Sequence, residues 1–115
     1  MSVTIYGIKN CDTMKKARAW LDAHHVVYDF HDYKASGIDA AHLKAWAGKV
    51  GWEVLLNKAG TTFRGLPDAD KADIDEAKAL KLMQANTSVI KRPVLDIDGT
   101  LLVGFKPEIY EKQFG

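Results

Sequence analysis

The sequence predicts an α/β domain built on a mixed four-stranded sheet with helices on both faces, and three observations carry that prediction. Val3-Thr4-Ile5-Tyr6-Gly7, a helical pattern and the extended run of residues 26–33 succeed one another as a β-α-β unit. Val94-Leu95-Asp96-Ile97 and Thr100-Leu101-Leu102-Val103 flank Asp98-Gly99, a strong local signal for a tight antiparallel hairpin. Between them lies a helical middle, and Lys106-Pro107 opens a last helix.

Each element follows from local chemistry. Val3 to Gly7 is β-branched and aromatic and ends on a glycine, as a buried strand does. Met14, Ala17 and Leu21 fall on one helical face with Trp20 beside them, and Asp12 or Thr13 supplies a cap. A right-handed crossover then makes the second strand parallel to the first. Asp39 caps a helix carrying Leu43, Trp46, Ala47 and Val50, which Gly51 ends. Residues 52–66 carry no regular pattern. Pro67 to Lys71 reads as a helical turn, and Asp73 or Asp75 begins a helix with Ala77, Leu80 and Met83 near one face, ending at Asn86-Thr87-Ser88. In the last helix Ile109 and Tyr110 are expected to face the body.

Composition bounds the function. A chain of 115 residues suits one domain, and 47% hydrophobic with 27% charged residues is ordinary globular usage. The formal charge of +1 gives no global attraction to nucleic acid. No apolar stretch reaches membrane-spanning length, and the start lacks a signal-peptide pattern, so a cytoplasmic location is expected. The four histidines have no metal-ligand spacing. A single cysteine excludes an internal disulfide.

That cysteine, Cys11, stands where the first strand runs into the first helix. The unpaired N–H groups and positive dipole of a helix start favour thiolate over thiol, and Lys9, Lys15 and Lys16 add positive charge. The alternative is a small, inert, buried residue. Arg92-Pro93 immediately precedes the third strand; its peptide bond is compatible with cis or trans, and a cis proline would shape a groove beside the thiol.

Tyr6-Gly7-Ile8-Lys9-Asn10-Cys11-Asp12-Thr13-Met14-Lys15-Lys16-Ala17, with Lys91-Arg92-Pro93 and Gly104-Phe105-Lys106-Pro107, resembles the arsenate reductase (ArsC) family, in its YffB and Spx/MgsR-like branch. The resemblance implies a single domain over 1–115, with a thioredoxin-like core at about 1–34 and 87–115 and a helical insert at about 35–86. It implies Cys11 as the catalytic nucleophile, Lys9, Lys15, Arg64, Arg92 and Lys106 as thiolate- or anion-stabilising groups, and Asn10, Asp12, Thr13 and Pro93 as groove residues. No bound cofactor or metal is implied; glutathione is the expected co-substrate, with glutaredoxin or a glutathionylated or disulfide substrate as partner. Lys15 and Lys106 stand where the reductases carry arginines, so two bidentate forks become point charges. The Spx-type regulators use a Cys-x-x-Cys switch and bind RNA polymerase; here Met14 takes the second cysteine's place. Three functions are thus in competition: a glutathione-dependent monothiol oxidoreductase, a glutathione- and glutaredoxin-dependent arsenate reductase, and a non-catalytic protein-binding adaptor.

Overall fold

The computed structural model describes residues 2–114. In chain order the elements are β1 (Val3–Gly7), α1 (Asp12–Ala23), β2 (Asp29–Asp32), α2 (Tyr33–Ser36), α3 (Ala40–Val50), α4 (Trp52–Leu55), α5 (Thr61–Arg64), α6 (Asp68–Lys71), α7 (Glu76–Ala85), β3 (Val94–Ile97), β4 (Thr100–Val103) and α8 (Pro107–Phe114). The chain forms two compact units: residues up to Ser36 with those from Arg92 onward, and residues 37–91.

The first unit holds the sheet, in the order β2-β1-β3-β4. β1 runs parallel to β2, with Tyr6 opposite His31, and antiparallel to β3, with Tyr6 opposite Val94. The period of two places Val3, Ile5, Leu95 and Ile97 on one face, where they pack with Met14, Ala17 and Leu21 of α1 and Tyr110 of α8. All eight are nearly or fully buried, and each large apolar side chain so buried contributes about 1.5–3 kcal/mol. In the β3–β4 hairpin Asp98 and Gly99 both take positive φ, 51° and 93°, as a two-residue primed turn requires.

Three local expectations are corrected within this unit. The second strand is shorter than residues 26–33: the Val26 N–H donates to the Leu21 carbonyl, closing α1, and Tyr33 already opens α2. Neither Asp12 nor Thr13 caps α1; Cys11 is the cap residue, and Asp12 is the first helical position. Ile109 is 43% exposed while Tyr110 is fully buried, because consecutive helical residues point about 100° apart.

The second unit is helical among its described residues. Asp39 caps α3 by accepting from the His42 N–H at 2.7 Å, and Asp75 caps α7 by accepting from the Lys78 N–H at 2.9 Å. Ala79, Leu82 and Met83 form the buried face of α7, with Ala77 exposed, so the packed stripe is rotated from the expected one. The patternless residues 52–66 contain α4 and α5, one turn each, too short for periodicity to register. Leu56 bridges Ile90, and the Lys91 N–H donates to the Leu55 carbonyl at 2.8 Å, tying the carboxyl end of the unit to the segment after α4.

Candidate active site

The turn after β1 delivers Cys11 to the start of α1 in extended conformation (φ −125°, ψ 126°), its carbonyl accepting from the Lys15 N–H at 3.0 Å. The helix forms there because Met14, Ala17 and Leu21 lock one stripe into the core, which leaves the preceding residue at the edge of burial. Cys11 is accordingly half-buried, not sealed in the core. The thiol makes no capping hydrogen bond of the kind an oxygen makes. A thiolate is a stronger acceptor, and the groups around it are arranged for one.

Partial burial pushes the Cys11 thiol up. The Met14 N–H, a hydrogen bond from the Arg92 side chain, the Thr13 N–H and the Arg92 positive charge outweigh it, so the thiol titrates below the ordinary thiol value. The Met14 and Thr13 N–H groups and the Arg92 guanidinium therefore all favour the charged form of the sulfur. Arg92 reaches it from the segment before β3, where the Arg92-Pro93 peptide bond is cis and Pro93 is buried. The Pro93 carbonyl accepts from the Gly104 N–H at 2.8 Å, anchoring this segment to the end of β4.

The other expected site residues are dispersed. Lys9, Asn10, Asp12 and Lys15 are exposed on either side of Cys11. Lys106 is exposed, and its carbonyl accepts from the Ile109 and Tyr110 N–H groups to start α8. Arg64 belongs to the second unit, exposed at the end of α5, its carbonyl accepting from Lys71 Nζ at 3.0 Å. Charge density in the sequence suggested lysines; the side chain that bonds the sulfur is Arg92. The backbone contribution of Met14 was legible only as a helix start.

Two further features frame the site. Met14 is fully buried and lies against Gly7: a Cβ there would stand 2.7 Å from the Met14 methyl carbon, so the glycine makes room for the thioether. On the sheet face opposite the main core, Tyr6, His31 and Tyr33 form an aromatic cluster, with Tyr6–His31 centroids 5.0 Å apart and Tyr6–Tyr33 6.5 Å. Sequence inspection missed Tyr33, because a tyrosine ending an apparent strand looks like ordinary sheet composition. An open concavity of about 550 Å³, lined by Trp20, His24, Val27 and Phe114 among others, lies toward the far end of α1. At about 1.5 Å rise per residue it is well away from the thiol.

The profile of the ArsC family matches residues 6–113. The chain belongs to the ArsC family. Its fold is thioredoxin-like, a mixed four-stranded sheet with flanking helices. This ArsC-family protein is similar to the solved YFFB protein, at 60% identity and a TM-score of 0.97, over 99% of this chain and 100% of the other. It is also similar to the solved arsenate reductase (ArsC) related protein from Brucella melitensis, at 60% identity and a TM-score of 0.79, over 99% and 95%. Global transcriptional regulator Spx 2 of Lactococcus lactis is 27% identical over 92% of this chain and 81% of its own. Among the described residues, no group of three or more His, Cys, Asp or Glu side chains could hold a metal, and no helix is long and apolar enough to cross a membrane.

Proposed function

We propose that the protein is a monothiol reductase of disulfides, with Cys11 as nucleophile and glutathione as the resolving thiol. The observation that carries this reading is that Arg92 and the Thr13 and Met14 N–H groups all favour the charged form of a half-buried sulfur, which holds it as the reactive thiolate. The Cys11 thiolate attacks the glutathione sulfur of a glutathione mixed disulfide, so that the adduct it forms joins Cys11 to glutathione and the substrate leaves as the free thiolate. The substrate S–S bond breaks, a Cys11 mixed disulfide forms, and the leaving thiolate takes a proton from solvent. A glutathione thiolate then attacks that disulfide, releasing Cys11 and forming oxidised glutathione. An external thiol must resolve it, because the chain has one cysteine and Met14 fills the place where an internal partner would stand. A reducing compartment such as the cytoplasm suits this chemistry.

The test is reduction of a glutathione mixed disulfide, with glutathione regeneration coupled to NADPH consumption. Turnover by the wild type, lost in Cys11→Ser, is the expected result; equal rates in the two proteins would refute the reading.

A second reading has its own support. A guanidinium beside a thiolate also suits a tetrahedral oxyanion, and a relative at 60% identity is described as arsenate reductase related. Arsenate-dependent NADPH oxidation in the presence of glutathione and glutaredoxin, abolished in Cys11→Ser, would select it.

A further inference from the structure

The two edges of the sheet present different surfaces. β2 is one edge and carries Asp29 and Asp32 at its two ends, charges that discourage pairing with a further strand. β4 is the other, and its residues, Thr100-Leu101-Leu102-Val103, include no charge and no proline and keep an unbroken register against β3. Thr100 is exposed and the three apolar residues are half-buried. An uncharged apolar edge without a bulge is a template for another strand.

The hydrogen-bond pattern fixes which groups this edge offers. The Gly104 N–H donates to the Pro93 carbonyl at 2.8 Å, so these two residues form a hydrogen-bonded pair of the antiparallel ladder. Bonded and non-bonded pairs alternate along such a ladder. Leu95 with Leu102 and Ile97 with Thr100 are therefore bonded pairs. Leu101 and Val103, opposite Asp96 and Val94, turn their N–H and carbonyl groups away from β3. Among the described residues no strand lies on that side.

We propose that β4 is the interface for a second copy of this chain, the two strands pairing antiparallel about a two-fold axis through Leu102 and joining the sheets. In this register both outward-facing residues of each copy find partners, Leu101 with Val103 of the second copy and Val103 with its Leu101, each pair exchanging N–H to carbonyl bonds. A slip of two residues sets one of them against Gly99 of the turn or against Phe105, beyond the bend at Gly104 (φ 83°). The pairing is apolar on both faces, because Leu101 falls beside Val103 and Leu102 beside Leu102. Charge is complementary as well. Asp98 precedes the strand and Lys106 follows it, both exposed, so antiparallel pairing brings Asp98 of each copy to the end where Lys106 of the other stands. One Asp98 oxygen accepts from the Ser2 N–H at 2.7 Å, which leaves the second for the lysine. A formal charge of +1 adds little repulsion between copies. So short an edge buries little area, and the dimer is accordingly weak and concentration-dependent.

Sedimentation of the full chain over a rising concentration series tests the interface. Wild type should shift from monomer toward dimer. Val103→Pro removes an N–H that faces away from β3 and spares the β3–β4 hydrogen bonds, so it should stay folded and monomeric throughout the series. Lys106→Glu sets a like charge against Asp98 of the second copy and should weaken association about fivefold, part of which Asp98→Asn in the same chain should recover. If Val103→Pro fails to fold, the Lys106→Glu and double-variant comparison decides. Wild type that stays monomeric at every concentration would overturn the proposal. A dimer that persists at full strength in the folded Val103→Pro chain, or in Lys106→Glu, would lie on another surface and overturn it equally.

Discussion

The Cys11 sulfur is governed by groups that act on its charged form only. Replacing Arg92 by leucine removes both a hydrogen bond and a positive charge from the thiolate, so the Cys11 titration should move upward. Less thiolate is then present at neutral pH, and alkylation by iodoacetamide should slow. The pH dependence of the alkylation rate measures this, with Arg92→Lys expected between the two because it keeps charge but loses the planar fork. A second residue-scale prediction concerns the floor of the site. Gly7→Ala drives a methyl group into the fully buried Met14 thioether and should destabilise by about 1–3 kcal/mol in urea unfolding. Pairing it with Met14→Ala should recover part of the loss, since the two positions share one space.

At the scale of elements, the ends of the helices were partly legible and partly hidden. Asp39 was visible as a cap, and Asp75 as one of two candidates with Asp73, because a short acidic side chain before a periodic apolar stripe is a strong capping signal; the structure selects Asp75. The end of α1 carried no such sign. It closes by paired hydrogen bonds, Val26 N–H to the Leu21 carbonyl and His25 N–H to the Asp22 carbonyl, with His25 at φ 58° where glycine is usual. His25→Gly should therefore raise stability by about 0.5–1 kcal/mol, read as a higher urea midpoint. Losing a cap works in the other direction, and Asp75→Ala should cost about 1 kcal/mol. The start of α1 was misassigned to Asp12 or Thr13 because capping preferences concern oxygen side chains. A cysteine at the cap position gains little for the helix.

For the whole molecule, the lowered thiol titration links function to folding. The Cys11 titration is depressed in the folded state, so its contribution to stability is fully present above the unfolded thiol value and is lost as pH falls through the folded value. The stability of reduced wild type minus that of Cys11→Ser should accordingly increase from mildly acidic to alkaline pH. Urea midpoints of the two proteins across that range check the sign, and a difference that shrank with rising pH would contradict the thiolate site.

The sequence by itself determined the β-α-β unit, the Asp98-Gly99 hairpin, the last helix from Pro107 and the placement of one cysteine at a helix start. These follow from short-range rules: apolar period, turn dihedrals and the open N–H groups of a first turn. Tertiary structure decided which cation serves the thiol. Lys9 and Lys15 are near Cys11 in the chain, yet the hydrogen bond comes from Arg92, which stands 81 positions away and is brought back by the pairing of β1 with β3. The partnerless hydroxyl of Tyr33 was equally hidden, since whether a buried donor finds an acceptor depends on the packing of the folded chain, and no pattern in the sequence encodes it.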